Sequence, residues 1–201
     1  MARRSTAKAD SGETRMSESS LPISEVRAAV QRIGAGLEIM AAAPLQFELI
    51  AESKLPEPYR RLLAHRNHMT TTLRDHYAGD IALHVLEHGF AQGWYRRVIK
   101  LTLAPSATII ELGIVAMDMG KLPEAVQDAI RARKRPLGDI LCASNVLREI
   151  TPRWYLRIPG GAANLAPWGV SFDHDVFGRV GVMHCDGHPA IELLEIVTGA
   201  E

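Results

Sequence analysis

One short segment, residues 95–103, most constrains how this chain can fold. Its apolar and polar residues alternate with the period of two that is typical of a half-buried β-strand. One face, predicted to be solvated, carries Arg96, Val98, Lys100 and Thr102, and the other, predicted to face the core, carries Tyr95, Arg97, Ile99, Leu101 and Leu103. Because arginine stays protonated and a buried unpaired charge costs several kcal/mol, Arg97 requires an anion, either a protein carboxylate or a ligand carboxylate.

A second charged residue lies on an apolar face near the C-terminus, in residues 189–197. Glu195 shares one face of this predicted strand with Ile191, Leu193 and Val197. Glu192 lies on the other face, where water is available. Two interpretations remain open: a buried salt bridge between Arg97 and Glu195, or a closed pocket in which Arg97 binds a ligand carboxylate and Glu195 exchanges a proton.

The composition of the 201-residue chain excludes several classes of partner. Lys+Arg and Asp+Glu both number 23, so nothing indicates a nucleic acid or an anionic membrane as partner. No apolar run approaches the ~20 residues that cross a bilayer, and the basic start, residues 1–6, has no apolar segment of a secretory signal. Two cysteines, Cys142 and Cys185, make no disulfide framework, so a cytoplasmic location is expected.

The order of the predicted elements indicates an α+β domain. Helical patterns come first, followed by strands, one helix, a long strand bent at Pro152 and a hairpin whose turn is Asp186-Gly187. The strands are predicted over residues 81–90, 95–103, 108–117, 146–158, 179–185 and 189–197. This pattern predicts a single domain with a mostly antiparallel sheet and helices on one face.

Two segments lie outside this regular pattern. Residues 1–20 are rich in Ser, Ala and charge and are predicted to form a disordered tail, in which Met16 is an alternative start, so the domain occupies residues 21–201. The Gly- and Pro-rich residues 159–177 hold Trp168 and Phe172 and are predicted to form a loop or lid.

Three other chemistries find little support in the sequence. His65 and His68, and His184 with Cys185 and His188, have spacings that could share a metal, but no further ligand follows at a recognisable spacing. Cys185 on a hairpin strand has no obvious base to activate it as a nucleophile. The basic run over residues 131–135 is interpreted as a solvated helix C-terminus rather than a phosphate site.

Five short stretches occur in a familiar order: Met69-Thr70-x-x-Leu73, the strand with Arg97, residues 114–123, Pro136-Leu137-Gly138, and Gly187-His188-Pro189 followed by Glu195. In this order, and with the spacing between these stretches, the chain from about residue 60 to residue 197 resembles the chorismate pyruvate-lyase (4-hydroxybenzoate synthase) family. The resemblance implies a six-stranded antiparallel sheet with helices on one side, enclosing an internal ligand cavity. It also implies conversion of chorismate to 4-hydroxybenzoate and pyruvate without metal or organic cofactor, for ubiquinone or phenolic lipid biosynthesis.

The same resemblance implies roles for individual residues. Arg97 matches the arginine that binds the aromatic acid, and Glu195 matches the active-site glutamate, here expected to be the general acid/base. Met69 and Leu137 match positions whose backbone lines the ligand, and the N–H groups of Leu137 and Gly138 are expected to bind ligand oxygens.

The chain departs from the family in the segment before Glu195. Glu192 is an extra acid there, and a register slip of one residue would hand the role to Glu192 or Leu194, although alternation favours Glu195. A second functional class also stays open, because the same fold serves as a non-catalytic domain that binds small aromatic acids. For either class, a monomer is expected.

Overall fold

The computed structural model describes residues 23–161 and 163–199, so the predicted tail over residues 1–20 lies outside the described residues. Six α-helices in this part of the chain are α1 Ile23–Ile33, α2 Glu38–Ala42, α3 Tyr59–Leu63, α4 Met69–Tyr77, α5 Glu124–Ala132 and α6 Leu137–Cys142. The strands are β1 Glu48–Ile50, β2 Ile81–Ala91, β3 Trp94–Leu103, β4 Ile109–Met117, β5 Arg148–Ile158, β6 Val176–Cys185 and β7 His188–Val197.

The strands form one antiparallel sheet with the order β1-β5-β6-β7-β4-β3-β2. The predicted α+β class with an antiparallel sheet is therefore confirmed. The described residues form seven strands rather than six, because the short β1 pairs with the outer edge of β5. The predicted hairpin is present: Asp186 and Gly187, both with positive φ, join β6 to β7.

Both faces of the sheet are covered, which corrects the prediction that helices lie on one face only. We call the face that carries Arg97 and Glu195 the site face; α3, α4, α5 and α6 pack against it. Helix α1 packs its apolar stripe against the other face, with Val26, Ala29, Val30 and Ile33 buried. Val98 and Arg96, predicted to be solvated, are consequently buried on the α1 side of the sheet.

The predicted loop or lid over residues 159–177 contains a short 3₁₀ helix, Ala163–Trp168. Trp168 is buried in the same apolar cluster as α1, on the face opposite Arg97. Trp168 therefore anchors this segment on the face of the sheet opposite the site face, and the segment does not close over the site face.

No helix in the described part of the chain is long and apolar enough to cross a membrane.

Candidate functional site

The predicted inward arginine is the most unusual feature of the site face. Arg97 is completely buried, and none of its three guanidinium nitrogens has a hydrogen-bond partner among the described residues. Burial lowers the pKa of Arg97 to about 10, which still leaves it protonated at neutral pH. Buried charges in proteins are normally paired, so this unpaired cation marks a place where an anion is expected to bind.

Glu195 is paired with Arg179 and not with Arg97, the partner considered from the sequence. Its Oε2 accepts a hydrogen bond of 2.6 Å from Nε of Arg179, which is completely buried on β6 directly opposite Glu195. Arg179 also donates to the backbone carbonyls of Leu63 and His65, tying the segment between α3 and α4 to the sheet. The salt bridge between Arg97 and Glu195, which was one of the two interpretations left open by the sequence, is therefore not formed.

A second buried carboxyl, Glu111 on β4, lies beside Glu195. Glu195 is paired with Gly113, and Glu111 is two residues from Gly113 on the same face. Because Gly113 has no side chain, Glu111 can lie across it: Oε1 is only 3.4 Å from where a Cβ at residue 113 would be. Oε2 of Glu111 has no hydrogen-bond partner in the described residues.

The environment of Glu111 favours the protonated form of its carboxyl group. Burial raises its pKa well above the ordinary glutamate value, and the negative charge of Glu195 raises it further, while Arg179 opposes both effects. Two carboxylates that share a site cannot both be ionised cheaply, and Glu195 is the one with an arginine partner. The site therefore combines a carboxyl group whose neutral form is favoured, the Arg179–Glu195 ion pair and the unpaired charge of Arg97.

The buried residues Arg97, Glu111 and Glu195 line a small cavity of about 40 Å³, which we call the internal cavity because these residues are buried. A single water needs about 10–15 Å³, so the cavity as it stands has room for water-sized occupants. Most of its remaining wall is apolar and includes Ile99, Leu101, Val115, Ile150, Met183 and Leu193. An aromatic ring would fit only if part of this wall moved outward.

The structure brings all the sequence-predicted site residues to this cavity. Met69 and Leu137 are the first residues of α4 and α6, and both line the cavity together with Gly138. The first N–H groups of a helix have no acceptor within the helix, so they are available to ligand oxygens. A Cβ at Gly138 would be 3.0 Å from Oγ1 of Thr70, so glycine permits the close contact between the two helix starts.

A larger surface cavity of about 400 Å³ adjoins the internal one. His68 and Ile150 line both cavities, and the surface cavity also holds Arg66 and Arg148. Arg148 Nε donates to Nε2 of His68 over 2.6 Å. Burial, with a smaller effect of the Arg148 charge, lowers the pKa of His68, which favours the neutral histidine where it lines both cavities.

A different cavity of about 390 Å³ lies near α1 and α2. Its charged lining residues, Arg27 and Glu38, are exposed, and no residue of its lining has a buried polar atom without a partner in the described structure. It therefore lacks the buried, unpaired charge that distinguishes the cavity at Arg97.

Sequence reasoning missed Glu111 and Arg179. Both follow the alternation that revealed Arg97, since Glu111 shares a face with Val115 and Met117, and Arg179 with Phe177 and Met183. Glu192 lies on the opposite face, where it accepts hydrogen bonds from Arg32, so the register that places Glu195 on the site face is the one observed.

The histidine and cysteine candidates show no metal-binding arrangement. No group of three His, Cys, Asp or Glu side chains in residues 23–161 and 163–199 is placed to hold a metal ion. His65 Nε2 lies 2.7 Å from the carbonyl of Leu62, and burial lowers its pKa. Burial also raises the pKa of Cys185 to about 11, so its thiol is protonated at neutral pH.

We expect Glu111 to make stability fall with rising pH. The folded state keeps the Glu111 proton above the pH at which the unfolded chain releases it, so the slope of unfolding free energy against pH is negative in that window. Relative to Glu111→Gln, wild type should lose about 1.4 kcal/mol per pH unit between the unfolded and folded pKa values. Urea denaturation of both proteins over a pH series measures this difference; parallel curves would contradict it.

Comparisons with known proteins add little to this geometry. No family model matches the chain, and no curated protein matches its sequence. Among solved structures, the crystal structure of PhnF from Mycobacterium smegmatis is similar over 66% of this chain and 64% of that chain, with a TM-score of 0.47 and 10% sequence identity. The chain thus spans less than two thirds of that protein, and a similarity this low carries no argument about function. The functional assignment depends on the site itself.

Proposed function

We propose that the chain binds a small aromatic or cyclic carboxylic acid in the internal cavity and acts on chorismate as a pyruvate-lyase. The observation that carries this proposal is the completely buried guanidinium of Arg97, which has no partner among the described residues. A ligand carboxylate is the natural counter-ion, because guanidinium binds carboxylate through two parallel charge-assisted hydrogen bonds. The sequence resemblance to the lyase family supports the same assignment.

The other groups suit this chemistry. Loss of the enolpyruvyl group and a ring hydrogen makes chorismate aromatic, so the reaction requires mainly positioning and proton transfer. Glu195 supplies the proton-transferring carboxyl on the site face. Arg179 binds Oε2 of this carboxyl group, whereas Oε1 accepts no hydrogen bond from the described residues. The apolar part of the cavity wall suits a flat ring once that wall has moved outward.

The small volume of the cavity also has a kinetic consequence. Ligand entry and exit require movement of the wall at His68 and Ile150, which separate the internal cavity from the surface cavity. Such gating steps limit turnover in many enzymes. Slow release of the aromatic product is therefore part of the proposal.

A second candidate function is non-catalytic binding of an aromatic acid. The observation that favours it is the Arg179–Glu195 contact of 2.6 Å, since this ion pair already engages the carboxyl group that a lyase would use for proton transfer. The two functions share the ligand site at Arg97 and differ only in whether the ligand is transformed.

The deciding experiment is incubation of the purified chain with chorismate. Pyruvate is followed by coupled reduction with lactate dehydrogenase, and 4-hydroxybenzoate by chromatography, with Glu195→Gln as the inactive comparison and Glu192→Gln as the matched control on the opposite face. A lyase releases the two products in equal amounts, and Glu195→Gln should slow it by at least ~100-fold. Ligand-induced thermal stabilisation by 4-hydroxybenzoate without pyruvate release would identify the non-catalytic function. If the protein neither binds 4-hydroxybenzoate nor turns over chorismate, both candidate functions are refuted.

A further inference from the structure

Glu111 is a buried group at the cavity that the proposed mechanism has not used. It lines the cavity with Glu195, and its Oε2 has no partner among the described residues. We infer that Glu111 is the proton donor of this site and that Glu195 is the base. The inference rests on the proposed function and assigns its acid and base to two separate carboxyl groups.

The strand register places the two carboxyls together. Glu195 is paired with Gly113, whereas Glu111 is paired with Val197, so the two glutamates are diagonal neighbours on one face of β4 and β7. Diagonal neighbours are roughly 7–8 Å apart, with their Cβ atoms somewhat closer, which is within reach of long side chains. The missing side chain at Gly113 lets Glu111 extend toward Glu195.

The charged groups around the two carboxyls favour placing the proton on Glu111 and not on Glu195. Glu195 faces it from β7 and is bound by Arg179 from β6, while Arg97 on β3 and His68 before α4 complete the titratable lining of the cavity. Arg179 donates to Glu195 and makes no hydrogen bond to Glu111. Two neighbouring carboxyls whose environments separate their protonation states are the usual arrangement of an acid and a base.

The lyase reaction balances with these two groups. The ether bond to the ring breaks, and its electron pair goes to the enolpyruvyl oxygen, which takes the proton from Glu111. The C–H bond at the neighbouring ring carbon breaks, its electron pair completes the aromatic ring, and Glu195 takes that proton. The released enol isomerises to pyruvate, and transfer of the proton from Glu195 to Glu111 restores the site. No oxidant, reductant or further reactant is needed.

The test compares wild type, Glu111→Gln and the control Glu192→Gln. Glutamine keeps the size and a hydrogen-bond donor but has no acidic proton, so 4-hydroxybenzoate should still bind, whereas kcat for chorismate should fall by at least ~100-fold. Wild-type kcat should decline as pH rises through the pKa of Glu111, and Glu111→Gln should lack this alkaline limb. Retained kcat with an unchanged pH profile would show that Glu111 is only structural and would overturn the inference.

An infrared difference spectrum separates this inference from the proposed function. A protonated buried carboxyl gives a C=O band that shifts on deuteration, and this band should be present at neutral pH in wild type and Glu192→Gln and absent in Glu111→Gln. If wild type fails to turn over chorismate, the lyase proposal fails, whatever the spectrum shows. If wild type turns over chorismate but the band is equal in all three proteins, Glu111 does not hold the proton, and only the inference about Glu111 fails.

Discussion

Replacing Arg97 with methionine should abolish aromatic-acid binding and, at the same time, make the unliganded protein more stable. In the free protein the guanidinium is completely buried without a hydrogen-bond partner among the described residues, so its desolvation is uncompensated. Replacing a buried ion pair by apolar groups of similar volume is often stabilising, by about 1–4 kcal/mol, and we expect a gain of this order here because an unpaired charge has no attraction to lose. Urea denaturation without ligand measures this gain.

The loss of binding follows from the same charge. A ligand carboxylate that enters an apolar cavity without a cation is itself buried unpaired, and truncating one partner of such a pair costs about 2–5 kcal/mol. Isothermal titration of Arg97→Met with 4-hydroxybenzoate should therefore give little or no heat. A structural arginine would behave differently, because its removal would lower stability.

Arg96 offers a matched control on the same strand. It is also buried, but its guanidinium donates to the carbonyls of Ala91 and Arg32. Arg96→Met should therefore destabilise the protein by about 1–3 kcal/mol, because two partly buried carbonyls lose hydrogen bonds from a charged donor, and should leave ligand binding unchanged. If both methionine variants lost stability to the same extent, Arg97 would have an unrecognised structural partner, and the ligand proposal would lose its main support.

The period-two pattern was sufficient to find Arg97 and Glu195 because each is one charge on an otherwise apolar strand face. The same rule failed for Arg96, which it placed in water. Alternation identifies two faces of a strand but does not tell whether the second face is also covered. Here α1 covers it, and α1 is distant in sequence from β3.

The pairing of charges needed information that the sequence does not carry. Arg179 and Glu195 meet because β6 and β7 form a hairpin with a shift of register between Met183 and His184. A one-residue change in that register would turn Arg179 to the opposite face. Glu111 was overlooked for a related reason, since its proximity to Glu195 depends on the long-range pairing of β4 with β7.

The position of residues 159–177 illustrates the same limit. The Gly and Pro content predicted a loop or lid that holds Trp168 and Phe172, and the segment contains the 3₁₀ helix Ala163–Trp168. Which face of the sheet receives Trp168 depends on where the chain crosses after β5, and composition carries no information about that direction. Of the two predicted alternatives, loop or lid, the segment does not form a lid over the site, because Trp168 packs on the opposite face of the sheet.

Breaking the Arg179–Glu195 pair should be the most destabilising single change in the site. Arg179→Met leaves the carboxylate of Glu195 beside Glu111 without a counter-ion, and removing one partner of a buried ion pair costs about 3–5 kcal/mol. The double variant Arg179→Met/Glu195→Leu also removes the carboxylate that the single variant leaves unpaired. It should recover part of this loss but stay about 1–3 kcal/mol below wild type, because the carbonyls of Leu63 and His65 lose their donor.

The pair between Arg32 and Glu192 provides the comparison, because Glu192 is on the same strand as Glu195 but on the opposite face. Arg32 is half exposed, so solvent screens the interaction and Arg32→Met should change stability by no more than about 1 kcal/mol. Urea denaturation of the four proteins in the Arg179/Glu195 cycle gives the coupling free energy directly. Additive single effects would mean that the two side chains do not interact in solution. The side chain of Glu195 would then be available as a counter-ion for Arg97.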